Sequence, residues 1–186
     1  MTESDVLRIF QQTQALLSGH FLLRSGLHSG QYFQCALVLQ YPRHAERLCS
    51  ALAAKLPGAD AVISPAMGGL FVGHEVARAL GLRHIFAEKN AAGALELRRN
   101  FAVGTGERFF VVEDVITRGG RVQETIEIVR ARGGRIEAVG ALVDRSGGRA
   151  QFGVPLHSLL ALEIETFEPS ACPLCRQGLP LVKPGS

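Results

Sequence analysis

The sequence predicts an α/β fold in which helices cover both faces of a central parallel sheet. The length of 186 residues fits a single domain spanning residues 1–186. Apolar, β-branched segments typical of buried strands occur at 61–64, 84–86, 109–112 and 136–143, and helical spacing of apolar residues occurs at 72–80 and 122–132. Strands of this composition that alternate with helices indicate a parallel sheet.

Other elements precede and interrupt this alternation. Apolar residues at helical spacing behind Ser4, a candidate N-cap, predict a helix over 3–18 that Gly19 ends. Two short strands are expected in 21–33, around a turn that contains glycine, and a helix over 44–56. Residues 88–106 hold no apolar strand of useful length and predict a long functional loop, and the proline-rich tail from Glu168 predicts irregular structure.

Composition excludes several classes of protein. The formal net charge of +3 is small and the basic residues are scattered, so the chain lacks the dense positive face of a nucleic-acid binder. The first residues are acidic and polar, unlike a secretory signal, and no apolar run reaches membrane-spanning length. We therefore expect a cytoplasmic protein with neither a nucleic acid nor a membrane as partner.

The segment 108–121, RFFVVEDVITRGGR, carries the strongest functional signal. An apolar strand leads into Glu113 and Asp114, and a glycine turn then leads into a helix. Ligands bind beyond the carboxyl ends of parallel strands, and the amides at a helix start attract anions. Residues 117–121, the phosphate loop, are therefore predicted to hold a phosphate, with Gly119 and Gly120 allowing close approach of backbone amides.

Two carboxylates beside a phosphate would repel it unless the ligand also presents sugar hydroxyls or a metal ion there. The alternative is that Glu113 and Asp114 only cap the next helix and that the glycines form an ordinary turn. The buried strand before the acidic pair and the length of the helix after the turn favour the functional interpretation.

This segment resembles the phosphoribosyl pyrophosphate (PRPP) signature of type I phosphoribosyltransferases. Three further stretches are similar to orotate phosphoribosyltransferases: GHFLLRSG at 19–26 with YFQ at 32–34, SPAMGG at 64–69, and LVDR at 142–145. They follow one order and span nearly the whole chain. The resemblance implies a type I phosphoribosyltransferase fold, with a central parallel sheet flanked by helices and a small hood formed by segments at roughly 19–40 and 155–186.

The resemblance also implies site residues. The PRPP-binding set is Glu113, Asp114, Val115, Ile116, Thr117, Arg118, Gly119, Gly120, Arg121, Lys89, Ala66, Met67, Gly68 and Gly69, with Lys89, Asp114 and Glu113 as the catalytic members. The orotate-binding set is Thr117, Arg145, Arg24, Tyr32 and Phe33. The chemistry of Arg145 fits independently, because a planar guanidinium can grip the carboxylate of orotate with two hydrogen bonds. A solvated arginine after a strand is the alternative for Arg145.

The implied activity is transfer of the ribosyl 5-phosphate group from PRPP to orotate, which gives orotidine 5′-phosphate and diphosphate in pyrimidine (UMP) biosynthesis. The resemblance implies Mg²⁺ held mainly by substrate, and a homodimer in which the mobile loop bearing Lys89 reaches the neighbouring subunit's site. A purine phosphoribosyltransferase and a PRPP-sensing regulator are the alternatives. Arg145 and Arg24 count against a purine, which has no carboxylate to bind.

The chain departs from the family pattern in the phosphate loop, in the mobile loop and at Gly68, which replaces a lysine that some relatives carry. Arg118 and Arg121 stand where small or hydroxylated residues are common, so we expect phosphate contacts from the backbone of the phosphate loop rather than from these side chains. The mobile loop lacks most of the basic residues of relatives and leaves Lys89 as the clearest match, with Arg98 and Arg99 as possible substitutes.

The four cysteines, Cys35, Cys49, Cys172 and Cys175, are too few and too uneven for a disulfide framework. The pair at 172 and 175 is half of a zinc site, but no second close pair or histidine cluster accompanies it in the sequence. We expect ordinary structural cysteines, although two tails meeting in a dimer would supply four thiolates. His20 and His28, near the predicted base pocket, are expected to have ordinary hydrogen-bond partners.

Overall fold

The computed structural model describes residues 1–23 and 25–184. The strands are β1 Leu16–Leu22, β2 His28–Phe33, β3 Ala61–Pro65, β4 Arg83–Lys89, β5 Leu95–Leu97, β6 Arg108–Ile116, β7 Arg135–Asp144, β8 Leu156–Ala161 and β9 Thr166–Phe167. The helices are α1 Glu3–Gln12, α2 Ala36–Leu39, α3 Pro42–Ala53, α4 Gly69–Leu80, α5 Gly120–Ala131 and α6 Pro173–Arg176, with a 3₁₀ turn at Pro169–Ala171. Within these two described ranges, no helix combines the length and the apolar character needed to cross a membrane.

The large sheet confirms the predicted fold class. Its strand order is β5-β4-β3-β6-β7-β8, and every neighbouring pair is parallel except the edge pair β4 and β5. Strand β6 shows why both faces are covered. Phe110 and Val112 pack into the core on the α3 and α4 side, whereas Phe109 and Val111 pack on the α5 side. Alternate side chains of a strand point to opposite faces, so an unbroken apolar run requires helices on both.

A separate three-stranded sheet, β1-β2-β9, forms what we call the hood sheet. The antiparallel pair β1 and β2 confirms two strands around a turn that contains glycine, but β1 begins at Leu16, ahead of the expected range of 21–33. Strand β9 joins the sheet through His28 and Phe167. The expected C-terminal hood segment, 155–186, wrongly includes β8, because β8 pairs in parallel with β7 in the large sheet. Leu159 and Leu160 of β8 are buried in the main core, which fixes the strand there.

The first helix is shorter than the sequence suggests. It begins after Thr2 rather than Ser4, because Thr2 Oγ1 accepts from the Asp5 amide and Asp5 accepts in return from the Thr2 amide, a capping box. It ends at Gln12, and Leu17, expected on its apolar face, lies in β1. Gln14, with a φ of 54°, turns the chain between the two elements.

Residues 88–97 form a hairpin within the long loop expected at 88–106, whereas residues 98–106 contain no helix or strand, as expected. Lys89 of β4 pairs with Leu95 of β5, and the intervening turn is held by Asn90, whose Oδ1 accepts from the amides of Ala92 and Ala94 at 3.0 and 3.1 Å. The side chain of Leu95 is buried. A three-residue strand with one buried apolar residue is too short to show a period in sequence, and this concealed the β4–β5 hairpin.

Candidate active site

The carboxyl end of β6 and the turn at 66–69 are in direct contact. A Cβ on Gly68 would lie 2.7 Å from Asp114 Oδ1, and a Cβ on Gly69 would lie 3.1 Å from Glu113 Oε1 and 3.0 Å from the Val112 carbonyl oxygen. Both glycines are therefore needed for the turn to pack against the acidic pair. The structure thus brings together two segments that the sequence assigned to the same ligand.

The acidic pair carries unfavourable charge in the free protein. Burial, and secondly the neighbouring Asp114, raise the pKa of Glu113 well above its usual range. Local amides offset part of this cost, since the Asp114 amide donates to Glu113 Oε1 at 3.1 Å and the Val115 amide donates to Asp114 Oδ1 at 2.8 Å. Two close carboxylates in this setting are suited to hydroxyl donors or to a cation.

The phosphate loop leaves β6 and enters α5 at Gly119, which has a φ of +76°. A Cβ there would also lie 2.7 Å from Phe152 Cζ, so both backbone conformation and space favour glycine. Thr117, Arg118 and Gly120 are exposed. The Thr117 hydroxyl and the amides at the start of α5 are therefore open to an anion.

The remaining side chains of this segment face elsewhere. Ile116 is buried in the core on the α5 side of the sheet, and Val115 packs against the core on the α3 and α4 side, so these two residues offer the site only their backbone. Arg121 donates to Glu124 Oε2 at 2.7 Å and to the Gly93 carbonyl oxygen at 3.0 Å, in the turn of the β4–β5 hairpin. The Arg121 guanidinium therefore links helix α5 to this hairpin, which agrees with the expectation of backbone phosphate contacts.

Arg145 lies just beyond the end of β7, where its amide donates to the Ile116 carbonyl oxygen at 2.8 Å. Its guanidinium carbon lies 5.9 Å from the centre of the Phe33 ring. The Arg145 Nε is buried and has no hydrogen-bond partner among the described residues. Burial lowers the pKa of Arg145, whereas interaction with Tyr32 and Cys35 raises it in part. A buried donor without a partner is costly, and an anionic ligand would supply the partner.

The structure places three of the five predicted orotate contacts together: Arg145, Phe33 and Tyr32. Thr117 is exposed in the phosphate loop. Arg24 lies outside the described residues. Cys35, which the sequence did not single out, joins the two halves of the site. Burial is the main cause that raises the pKa of the Cys35 thiol, and the negative charges of Asp114 and Glu113 raise it further. The positive charge of Arg145 acts in the opposite direction.

Sequence reasoning missed Cys35 because a lone cysteine has no motif of its own. The available signal was its position two residues after Phe33, on the chain segment that leaves the predicted base pocket. Its charged neighbours lie on β6 and beyond β7, so only the fold reveals that all of them surround one thiol.

Lys89 lies at the exposed end of β4, and its side chain makes no hydrogen bond or ion pair with the residues the structure describes. The two candidate substitutes are engaged. Arg98 pairs with Glu96, and Arg99 pairs with Glu88 at 3.0 Å while its guanidinium lies 5.6 Å from the Phe86 ring centre. Lys89 therefore remains the most available cation of this hairpin.

Comparison with known proteins identifies the family. Residues 39–151 match the phosphoribosyl transferase domain. The orotate phosphoribosyltransferase of Pelotomaculum thermopropionicum is 54% identical over 188 aligned positions, which cover 100% of this chain and 98% of that protein. The chain belongs to the orotate phosphoribosyltransferase family.

Solved structures agree with this family and show how widely the fold is shared. The orotate phosphoribosyltransferase of Aeropyrum pernix has a TM-score of 0.72 at 27% identity, covering 85% of this chain and 94% of its own. The adenine phosphoribosyltransferase of Thermoanaerobacter pseudethanolicus has a TM-score of 0.63 at 21% identity, covering 71% and 88%. Because the fold also serves a purine enzyme, the base must be argued from the site.

Proposed function

We propose that the chain transfers the ribosyl 5-phosphate group of PRPP to orotate, releasing diphosphate and forming orotidine 5′-phosphate, in the synthesis of UMP. The observation that carries the choice of base is the buried Nε of Arg145, which lies beside Phe33 and has no hydrogen-bond partner among the described residues. A flat anionic base fits this pair, since its ring can lie against the aromatic face and its carboxylate can accept from the guanidinium. The names of the full-length relatives support the same choice.

In the reaction, the bond between the anomeric carbon and a diphosphate oxygen breaks, a bond from that carbon to the orotate ring nitrogen forms, and the proton of that nitrogen passes to the departing diphosphate. Positive charge develops on the ribose ring between these events. Glu113 and Asp114 accept hydrogen bonds from the ribose hydroxyls and hold the ring at the end of β6. Their negative charge, already fixed in place, stabilises the developing positive charge without reorganisation.

The phosphates are held mainly by backbone. In the proposal, residues 117–121 bind the 5′-phosphate through amides at the start of α5, helped by the Thr117 hydroxyl. The turn at 66–69, packed on the acidic pair, faces the diphosphate. Lys89 supplies positive charge to the leaving group. Covering the site in this way keeps water from the activated sugar.

The donor set fits Mg²⁺ as the cofactor. The carboxylates of Glu113 and Asp114 are hard oxygen ligands. Burial, and secondly the charge of Asp114, raise the pKa of Glu113, and a cation would relieve both effects. Mg²⁺ keeps water and substrate oxygens in its coordination shell, so few protein ligands are needed. When bound, it would neutralise charge on the diphosphate leaving group.

The proposal includes a homodimer in which the β4–β5 hairpin of one subunit brings Lys89 to the site of the other. The Lys89 side chain is exposed and makes no hydrogen bond or ion pair within residues 1–23 and 25–184, which supports this arrangement. It also includes a cytoplasmic location, in keeping with four cysteines that are all free thiols.

The deciding experiment measures formation of the nucleotide from PRPP and Mg²⁺ with orotate, adenine, guanine, hypoxanthine or uracil as the base. We expect product with orotate and at least about 10³-fold lower kcat/KM with every other base, because the others lack the carboxylate and leave Arg145 unpaired. Uracil is the matched control, since it is orotate without the carboxylate. A purine preference, or equal use of uracil and orotate, would refute the assignment.

A further inference from the structure

A second constellation of reactive side chains lies apart from the proposed catalytic site, in the hood sheet. His20 of β1, His28 of β2, Cys172 at the start of α6 and Cys175 within α6 each direct one ligand atom to a common point. These four atoms all lie within 4.8 Å of one another. The first three residues are buried and Cys175 is exposed.

The distances between these atoms resemble those around a tetrahedral ion. Cys172 Sγ lies 3.5 Å from His20 Nε2, Cys175 Sγ lies 3.7 Å from the same atom, and Cys175 Sγ lies 3.3 Å from His28 Nδ1. With Zn–S near 2.3 Å and Zn–N near 2.0 Å, a tetrahedron places sulfur and nitrogen roughly 3.5 Å apart. The two ring nitrogens are closer, at 2.9 Å, and need a small separation to receive the ion.

The hydrogen bond of the other His20 ring nitrogen is an independent observation that points to a ligand. His20 Nδ1 lies 2.8 Å from the carbonyl oxygen of Leu179, which can only accept, so Nδ1 carries the proton and Nε2 presents a lone pair to the cluster. One lone pair cannot satisfy His28 and two thiols at once. Metal-binding histidines are typically oriented by this type of bond to a backbone carbonyl.

We propose that His20, His28, Cys172 and Cys175 bind one structural zinc ion. Two thiolates balance the charge of Zn²⁺, which makes the site compatible with burial, and thiolate with imidazole is a ligand set that zinc favours. Four protein ligands leave no position open for substrate, so the role is structural. The structure places two histidines beside the cysteine pair, which the sequence did not show. The proposal therefore replaces the expectations of ordinary cysteines and of ordinary histidine partners, and it needs no second tail.

The ion would join segments that are far apart in sequence and would fix the hood sheet. Val182, beyond α6, already forms two backbone hydrogen bonds of 2.8 Å with β1, one to His20 and one from Leu22. The histidines anchor β1 and β2, and the cysteines anchor the chain after β9. Because β2 ends at Phe33, which lies against Arg145, the zinc site would also hold one wall of the proposed base pocket.

The first test measures zinc by inductively coupled plasma mass spectrometry in the untagged full-length protein after dialysis against metal-free buffer with a reductant. We expect about one zinc per chain. Cys172→Ala, Cys175→Ala, His20→Ala and His28→Ala should each reduce the content to background. The matched controls Cys49→Ala and His74→Ala, which change residues outside the cluster, should keep it. Zinc that persists in the ligand variants, or is lost equally in the controls, overturns the proposal.

The second test uses the unaltered chain and therefore does not depend on the folding of variants. The protein is unfolded with a chelator and reductant, then refolded with Co²⁺. Tetrahedral d–d bands together with thiolate-to-metal charge-transfer absorption support the site. A spectrum without thiolate bands overturns it, and so does a Cys172–Cys175 disulfide found by mass spectrometry in protein purified without air.

The third test measures the structural role. Removal of the ion by a strong chelator should lower the Tm on the order of 10 °C, because the metal binds only the folded chain. Cys175→Ala without chelator should give a similar decrease, and its Tm should no longer respond to chelator. A Tm of the unaltered protein that is unchanged by verified zinc loss overturns the structural role.

Discussion

The carboxyl edge of the large sheet and the hood sheet are built in different ways. The edge uses continuous segments at 64–69 and 113–121, each following one strand of the parallel sheet directly into a helix. The hood sheet pairs β1 and β2, near the start of the sequence, with β9 and Val182. These two partners come after every strand of the large sheet in the sequence. Parallel strands bring the ends of successive segments together, so the edge is defined locally, whereas the hood depends on distant pairing.

This difference separates two properties of the molecule. The edge carries the groups proposed to act on the sugar and phosphates, with backbone amides, glycines and two carboxylates. The hood carries an aromatic wall and four potential metal ligands. Damage to the edge should therefore affect turnover while leaving the fold intact, and damage to the hood or its contacts should affect base binding and stability. Four variants test that division.

The largest effect is expected at the edge, from Asp114→Asn. The variant keeps the shape of the side chain but removes the charge proposed to face the ribose, so kcat should fall by about 10³-fold. The Tm should change little, because an amide preserves an acceptor for the Val115 amide. Steady-state kinetics with thermal unfolding provides the measurement. Near-normal kcat would remove Asp114 from the reaction.

Arg145→Ala tests the boundary between the edge and the hood. We expect the KM for orotate to rise far more than the KM for PRPP, with a loss of roughly 2 to 5 kcal/mol in kcat/KM for orotate. Arg145→Lys should recover only part of this loss, since an ammonium cannot make the same paired contact. Arg130→Ala, which changes an exposed arginine on α5, is the control. Equal increases in both KM values would place Arg145 outside the base pocket.

A mixing experiment asks whether the β4–β5 hairpin serves its own subunit or the neighbour. Lys89→Ala and Asp114→Asn proteins are each assayed alone and then after subunit exchange. If Lys89 acts across a dimer interface, a mixed dimer has one site with both changes and one with neither. Random exchange makes half of the dimers mixed, so about a quarter of wild-type activity should return. With exchange verified by mass spectrometry, a mixture as inactive as its parents would assign Lys89 to its own subunit.

The smallest effect is a gain in stability from Glu113→Gln. Burial and Asp114 raise the pKa of Glu113 above its ordinary value of 4.5. A raised pKa means that the folded chain binds this proton more tightly, so the contribution of Glu113 to stability is full below pH 4.5 and is lost as pH rises through the folded pKa. At pH 7 the free energy of unfolding of the glutamine variant should be higher by about 1 kcal/mol, which corresponds to a Tm about 2–4 °C higher.

The pH dependence of that gain distinguishes charge from packing. The difference in Tm between Glu113→Gln and the unaltered protein should disappear near pH 4, where Glu113 is protonated in both the folded and the unfolded state. Activity should fall in the same variant if the charge serves the reaction. A gain in Tm that persists at pH 4 would mean that the glutamine amide packs better than the carboxyl group of Glu113, independently of charge.

The sequence predicted the central strands of the large sheet, and the segments that meet at its carboxyl edge, because both depend on local signals. The strands β3, β6 and β7 are buried along nearly their whole length, and the phosphate loop is one continuous motif. The contact between Gly68 and Asp114 follows once the two segments end neighbouring parallel strands. Confirmation of the individual site roles still rests on the experiments above.

Other features depend on partners that no local pattern reveals. Strand β8 has the composition of an ordinary edge strand, and its place in the large sheet depends on its pairing with β7 and on the burial of Leu159 and Leu160. The β4–β5 hairpin depends on one asparagine turn and one buried leucine. The cluster around His20 combines one short motif, at 172 and 175, with two histidines that only the pairing of β1 and β2 brings together.

The split of the hood sheet also constrains the order in which the chain can assemble during synthesis. Strands β1 and β2 leave the ribosome before any strand of the large sheet, and β9 and Val182 leave after all of them. The β1–β2 hairpin must therefore wait, with one edge unpaired, until the rest of the chain has been made. Every strand of the large sheet has been synthesised before β9 and Val182, so the pocket wall at Phe33 receives its final support only when the chain returns to it.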